Sequence, residues 1–120
     1  MLKFYEYSKC STCRNAAVYL EKRKIPFQRI AIRETPPNEG ELKKMLEWKK
    51  GEIRKIMNSS GLDYKAMGLK DKIEGMSESE ILKLLQKNGN LIKRPFVIGK
   101  EFGVVGFKEE EWEEKLELLK

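Results

Sequence analysis

Cys10-Ser11-Thr12-Cys13 decides the fold and contains both cysteines of this 120-residue chain. The run before it, residues 2–7, is rich in apolar and aromatic side chains and predicts a strand. The run after it, about residues 12–24, repeats apolar side chains at helical spacing. The two cysteines are therefore expected on the loop and first turn at the start of a helix.

A thiol in this position is expected to be acidic. Free backbone N–H groups and the positive end of the helix dipole stabilise a thiolate, which is the nucleophilic form, and lower the pKa of a cysteine below its usual value of about 8.5. Residues i and i+3 share one helix face, so Cys13 is placed to attack a disulfide or adduct formed on Cys10. A C-x-x-C beside a strand-helix-strand pattern is typical of thioredoxin-like redox sites.

Two other uses of the cysteines stay open at this point. They could be half of a zinc site, but the chain has no histidine and no third cysteine, so carboxylates or a partner chain would have to complete it. They could also be buried and inert. The absence of histidine excludes a histidine-activated nucleophile, so any activation must come from the helix dipole and from cations.

Length and composition narrow the class of protein. The chain has the length of one domain, and its 40% hydrophobic and 37% charged residues are typical of a soluble globular protein. It lacks the apolar core of a signal peptide and the run of roughly 20 apolar residues that spans a bilayer, so we expect a cytoplasmic protein without a membrane partner. The net charge of +6 favours anionic partners, but no basic run suggests direct nucleic-acid binding.

The rest of the chain changes from helical to strand periodicity. A strand at residues 27–32 would complete a parallel β-α-β unit. Capping-box patterns at Asn38 and Ser77 predict the starts of two longer helices, and residues 53–57 and 62–69 predict shorter helical segments. Residues 96–98 and 102–105 predict a hairpin. A last helix is predicted from about Lys108, and its apolar side chains are Trp112, Leu116 and Leu119.

This order of elements is β-α-β, then helices, then β-β-α. It is the order of an α/β thioredoxin-like fold with a mixed sheet and an inserted helical subdomain. We expect a single domain whose core comprises residues 1–34 and 93–120, with the helical insertion at about residues 38–92.

Three segments resemble the arsenate reductase (ArsC) family, a thioredoxin-like family of glutaredoxin-coupled enzymes to which the Spx-type transcription regulators are related. They are Tyr7-Ser8-Lys9-Cys10-Ser11-Thr12-Cys13-Arg14-Asn15-Ala16, Ile92-Lys93-Arg94-Pro95-Phe96 and Val105-Gly106-Phe107. The resemblance implies that Cys10 is the nucleophile and that Arg94 contacts an oxyanion or stabilises the thiolate. It also implies substrate-binding roles for Ser11, Thr12 and Pro95, and a proline at position 95 that in these folds is typically cis.

The chain departs from the reductases in two respects. The further arginines that the reductases use are missing from Asn58-Ser59-Ser60-Gly61 and from Val105-Gly106-Phe107. Two lost charge-assisted hydrogen bonds would weaken arsenate binding by more than about a hundredfold. Cys13, in contrast, is a thiol that the glutaredoxin-coupled reductases lack at this spacing, and it would allow a Cys10-Cys13 disulfide.

Two functions follow from the residues and the resemblance. The first is a thiol-disulfide oxidoreductase with Cys10, Cys13 and Arg94 as catalytic residues, acting on a small anionic or disulfide substrate such as arsenate. It would need no metal or bound cofactor, and glutathione or a redoxin, either glutaredoxin or thioredoxin, would be its co-reductant. The second is an Spx-like redox-switched regulator that docks onto RNA polymerase through protein contacts.

Overall fold

The computed structural model describes residues 1–117. It begins with β1 (Leu2–Glu6), α1 (Ser11–Lys22) and β2 (Phe27–Ala31). The two strands pair in parallel, with Leu2 opposite Phe27. The predicted β-α-β unit is therefore confirmed, although α1 ends before residue 24 because Lys24 adopts a left-handed φ of 57°.

Helices follow β2. The two longest are α2 (Glu39–Trp48) and α5 (Glu78–Lys87), and the predicted capping boxes at Asn38 and Ser77 are both formed. The intervening elements are a 3-10 turn (Ile53–Ile56), α3 (Leu62–Ala66), α4 (Leu69–Lys72) and a second 3-10 turn (Ile73–Gly75), and a third 3-10 turn (Gly89–Leu91) follows α5. The helix predicted over residues 62–69 is confirmed for Leu62–Ala66, but it ends there because Gly68 takes a left-handed φ of 63° and separates α3 from α4.

The hairpin of β3 (Phe96–Ile98) and β4 (Gly103–Val105) completes a four-stranded sheet in the order β2-β1-β3-β4. Since β3 is antiparallel to both β1 and β4, the predicted mixed α/β sheet is confirmed. The last helix, α6 (Glu109–Leu116), starts after Lys108. Leu119, predicted for the apolar face of this helix, lies outside the described residues.

Apolar side chains alternate between the two faces of the sheet, as expected for strands. Phe4 and Val97 pack in one cluster with residues of α1 and α6. Tyr5 and Phe96 pack in the other, with residues of α2 and α5. The sheet is thus covered on both faces by helices. Within the described part of the chain, no helix combines the length and the apolar character needed to cross a membrane.

The strand register brings two distant segments together. Tyr5 of β1 lies opposite Phe96 of β3 in an antiparallel pair. Arg94, two residues before Phe96, is therefore placed beside the loop that follows β1 and leads to Cys10. The Arg94–Pro95 peptide bond is cis.

Candidate active site

Cys10 is the N-cap residue of α1. Its backbone is extended, with φ −93° and ψ 117°, and its sulfur accepts a hydrogen bond from the backbone N–H of Cys13 at 3.4 Å. Its own N–H donates to the carbonyl oxygen of Tyr7 at 3.0 Å. The sulfur thus takes the place that a serine or aspartate oxygen occupies in an ordinary N-cap, at the positive end of the helix dipole.

Arg94 is the charged neighbour of this sulfur. Its guanidinium group lies near enough to the Cys10 sulfur to lower the pKa of that thiol, and it lies over the ring of Tyr7, with its Cζ 4.8 Å from the ring centroid. The Cζ of Arg33 lies 4.6 Å from the same centroid. The Tyr7 ring therefore supports two guanidinium groups, one of which reaches the thiol.

These surroundings favour the ionised form of Cys10. Partial burial raises the pKa of this thiol, but it is outweighed by hydrogen bonds from the backbone N–H and thiol of Cys13 and by the hydrogen bond and charge of Arg94. The net effect is a pKa below the ordinary cysteine value, so a larger share of Cys10 is thiolate near neutral pH.

Cys13 has the opposite character. It is fully buried, and both cysteines are free thiols. Burial, together with the hydrogen bond to Cys10 and the negative charge of that residue, raises the pKa of Cys13 to about 12. The opposite pKa shifts of two thiols at the start of one helix suit nucleophilic attack by Cys10 followed by internal resolution by Cys13.

The Cys10 side chain opens onto a cavity of about 890 Å³. Of the residues predicted for the site, Thr12 and Arg94 share its wall with Cys10. Ser11 is the exposed first residue of α1, and Pro95 is buried behind Arg94; neither lines the cavity as the structure describes it. Asn58 and Ser60, between the first 3-10 turn and α3, do line it.

This cavity is lined by cations of which only Arg94 could be predicted from the sequence. Within residues 1–117 its wall carries seven basic side chains against two carboxylates, Glu52 and Glu111. The basic ones are Lys49, Lys50, Lys55, Lys93, Arg94, Lys108 and Lys115. Along the chain these lysines are interspersed with acidic residues and resemble an ordinary solvated surface. Only the fold brings them to one cavity.

The described residues offer no obvious metal site. Across residues 1–117, no group of three or more cysteine and carboxylate side chains is placed to hold a metal ion.

The chain is similar to several known proteins over most of its length. A family model described as the ArsC family matches residues 5–115. The uncharacterized protein YusI of Bacillus subtilis is 44% identical over 94% of this chain and 96% of its own length. The global transcriptional regulator Spx of Streptococcus pneumoniae is 28% identical over 92% of this chain and 82% of its own length.

The solved structures also match. The crystal structure of a Streptococcus mutans protein described as a possible arsenate reductase superposes with a TM-score of 0.85, at 39% identity, and the match covers 94% of this chain and 98% of that one. The likeness extends over nearly the whole chain, so it supports the thioredoxin-like mixed fold as well as the segment around Cys10.

Proposed function

Because this chain belongs to the ArsC family, we propose that it is a thiol-disulfide oxidoreductase in which the Cys10 thiolate attacks a small anionic or disulfide substrate. One observation carries the proposal: the Cys10 sulfur, held at the start of α1 by the Cys13 N–H, shares a cation-lined cavity with Arg94. A nucleophile, a charge partner and room for an anion meet at one point, which is what such a reaction needs.

In the first step Cys10 forms a covalent bond to the substrate. With a disulfide, the Cys10 thiolate bonds to one substrate sulfur, the substrate S–S bond breaks, and the departing thiolate takes a proton from solvent. With arsenate, a sulfur–arsenic bond forms and hydroxide leaves. In both cases the Arg94 guanidinium is placed to neutralise negative charge beside the reacting atoms.

In the second step Cys13 resolves the adduct. Its pKa is raised by burial and also by the hydrogen bond and charge of the Cys10 thiolate. These last two influences vanish once Cys10 is covalently bonded, so the first step itself makes Cys13 more acidic. The Cys13 thiolate then attacks the Cys10 sulfur. A Cys10-Cys13 disulfide forms, and the electron pair of the broken bond leaves with the substrate thiol or reduces arsenic(V) to arsenic(III).

The oxidised pair must be reduced before another turnover. A dithiol protein such as glutaredoxin or thioredoxin, or glutathione, would supply two electrons by thiol-disulfide exchange. This requirement supports a cytoplasmic location, where thiols are kept reduced.

Arsenate is the less favoured of the two substrates. Asn58 and Ser60 line the cavity in the segment where the resemblance implies an arginine, and lysines provide most of the positive charge. Lysine is a point charge, whereas arginine presents a planar fork of donors that matches an oxyanion. We therefore expect slower turnover of arsenate than of a disulfide.

The test is a coupled assay in which the purified protein, a redoxin and its reductase consume NADPH in the presence of arsenate or of a small disulfide. We expect turnover that Cys10→Ser abolishes. Cys13→Ser should still allow the first step, and the covalent adduct on Cys10 should then accumulate and be visible by mass spectrometry. Consumption of NADPH at the blank rate with every substrate would overturn the proposal.

A second function is supported by the pairing of Cys10 with Cys13 and by the likeness to Spx, which is described as a global transcriptional regulator. In this alternative the Cys10-Cys13 disulfide would control docking onto RNA polymerase. Its test is a pull-down with purified polymerase under reducing and oxidising conditions. Binding that differs between the two states, and that Cys13→Ser makes insensitive to oxidant, would favour the regulator. Equal or absent binding would exclude the switch.

A further inference from the structure

The cavity beside Cys10 is much larger than a tetrahedral oxyanion needs. It measures about 890 Å³, whereas a water molecule occupies about 30 Å³ of liquid volume and a tetrahedral oxyanion only a small multiple of that. Ligand cavities of roughly 300–1,000 Å³ are typical of cofactor-sized molecules. The volume of the cavity therefore indicates a substrate that extends well beyond the atom that Cys10 attacks.

The charge of the wall indicates an extended anion. Both wall carboxylates are already paired, Glu111 with Lys49 at 2.6 Å and Glu52 with Lys55. The other basic side chains described on the wall are Lys50, Lys93, Arg94, Lys108 and Lys115. One oxyanion at Cys10 would leave most of this positive charge without a counter-ion in the site.

These cations come from separate parts of the fold. Lys50 lies just after α2 in a left-handed turn with φ 57°. Lys93 precedes the cis Arg94–Pro95 bond, and its Cε would lie 2.9 Å from a Cβ built on Gly106, so its side chain runs across that glycine. Lys108 caps α6. Positive charge is thus distributed around the cavity and is not focused at one point, which suits several separate anionic groups.

Building on the proposed oxidoreductase activity, we infer that the substrate is a mixed disulfide of a small thiol that carries several negative charges, such as phosphate groups. The Cys10 thiolate forms a disulfide with the sulfur of this thiol, the original S–S bond breaks, and the other half leaves as a thiolate that is protonated by solvent. Cys13 then displaces the polyanionic thiol from Cys10, and an external dithiol reduces the resulting Cys10-Cys13 disulfide.

The experiment compares three symmetrical disulfides on the pre-reduced protein, so that no recycling enzyme is involved. They are coenzyme A disulfide, with several phosphates on each half, glutathione disulfide, with carboxylates only, and uncharged hydroxyethyl disulfide. The second-order rate constant of Cys10 oxidation is measured by mass spectrometry at low and at high salt. We expect coenzyme A disulfide to react roughly tenfold or more faster than hydroxyethyl disulfide at low salt, with an advantage that shrinks as salt screens the lysines.

Lysine variants test whether the preference for coenzyme A disulfide comes from the cavity. In the double variant Lys93→Gln/Lys108→Gln, the ratio of the coenzyme A disulfide rate to the hydroxyethyl disulfide rate should fall about tenfold. The matched control is Lys83→Gln with Lys87→Gln, which removes the same charge from exposed positions of α5 that do not line the cavity. The control should keep the wild-type ratio.

The outcomes separate the two proposals. Equal rates for the three disulfides, or an equal loss of the ratio in both double variants, would overturn the polyanionic substrate and leave the oxidoreductase intact. Failure of every disulfide to oxidise Cys10 would overturn both. A disulfide-linked acidic peptide that reacts faster than coenzyme A disulfide would also overturn the inference, because the recognised anion would then be a protein segment.

Discussion

Tyr7 contributes both its backbone and its ring to the surroundings of the cysteines. Its carbonyl oxygen accepts the Cys10 N–H at 3.0 Å, and a backbone hydrogen bond from Tyr7 counteracts part of the rise in the pKa of Cys13. Its ring lies against the Arg94 guanidinium. A single residue thus holds the thiol and its charge partner in one arrangement.

The ring can be tested separately from the backbone. In Tyr7→Leu, Arg94 loses an aromatic face worth about 0.5–1 kcal/mol and spends less time at the Cys10 sulfur, so the pKa of Cys10 should rise. The rate of Cys10 alkylation by iodoacetamide near pH 6.5 should fall about two- to fivefold. Tyr7→Phe keeps the ring and should keep the wild-type rate. Equal slowing in both variants would show that the ring face is not what positions Arg94.

At the scale of elements, Glu41 joins the start of α2 to β1. Its carboxylate accepts the Asn38 backbone N–H at 3.1 Å, as part of the capping box, and the Tyr5 hydroxyl at 2.7 Å. It also lies 3.2 Å from the ammonium group of Lys3. Burial raises the pKa of Glu41, but these three partners outweigh it and hold the pKa below the ordinary value.

This contact predicts a pH-dependent stability. A carboxyl group whose pKa is lowered by folding stabilises the folded state above its unfolded pKa of about 4.3, and that contribution is lost as the pH falls through the lower, folded-state value. Glu41→Gln should therefore lower the free energy of unfolding by about 1–2 kcal/mol at pH 7 and by less in acid. The exposed Glu47 on the same helix provides the control, and Glu47→Gln should stay within about 0.5 kcal/mol of wild type. Urea unfolding at pH 7 and pH 3.5 measures both, and a Glu41→Gln deficit that is independent of pH would contradict this account.

At the scale of the whole molecule, the helical segment between β2 and β3 packs its backbone closely against the chain at the end of β2. Met57 and Ile92 form an isolated antiparallel bridge within that segment. Gly89, in the 3-10 turn after α5, approaches the carbonyl oxygen of Ile32 just beyond β2. A Cβ at Gly89 would lie 1.9 Å from that oxygen, which is far inside van der Waals contact.

Gly89→Ala should therefore weaken the contact between the 3-10 turn after α5 and the end of β2. We expect it to lower the free energy of unfolding by about 1–3 kcal/mol or more, because the backbone of one segment must shift. Gly75→Ala is the matched control, since nothing lies within 4 Å of a Cβ at Gly75 and the change should have an effect of at most about 0.5 kcal/mol. Thermal and urea unfolding of the two variants provide the comparison, and equal stabilities would mean that the turn adjusts without cost.

The positive cavity is also a property of the whole molecule and can be probed with two alkylating reagents. The positive charge should accelerate the reaction of Cys10 with negatively charged iodoacetate more than its reaction with neutral iodoacetamide. At low salt, the ratio of the iodoacetate rate to the iodoacetamide rate should exceed the ratio for a free thiol by roughly threefold or more. The ratio should approach the free-thiol value in high salt, where the Debye length is only about 3 Å at 1 M. A ratio that never differs from that of a free thiol would show that the lysines do not act on the Cys10 sulfur.

Helix starts, strand runs and the position of the cysteines could be predicted because each depends on residues close together in the chain. The capping boxes at Asn38 and Ser77 need only one turn of sequence, and the break at Gly68 was missed because a lone glycine does not by itself interrupt an apolar pattern. The cavity lysines could not be found this way. Most of them lie within a few residues of acidic side chains in the sequence, and their grouping depends on distances across the fold.

The amino-acid order by itself determined the mixed α/β architecture and the location of a thiol at a helix start, since hydrophobic period, caps and the helix dipole act over a few residues. Only the tertiary structure decided in which direction the pKa of each thiol is shifted and which cations surround Cys10. Arg94 reaches Cys10 through the pairing of β1 with β3, Cys13 is buried by packing, and seven basic side chains face one cavity. Charge and burial act through space, so they are fixed by the positions of residues in the fold and not by their separation along the chain.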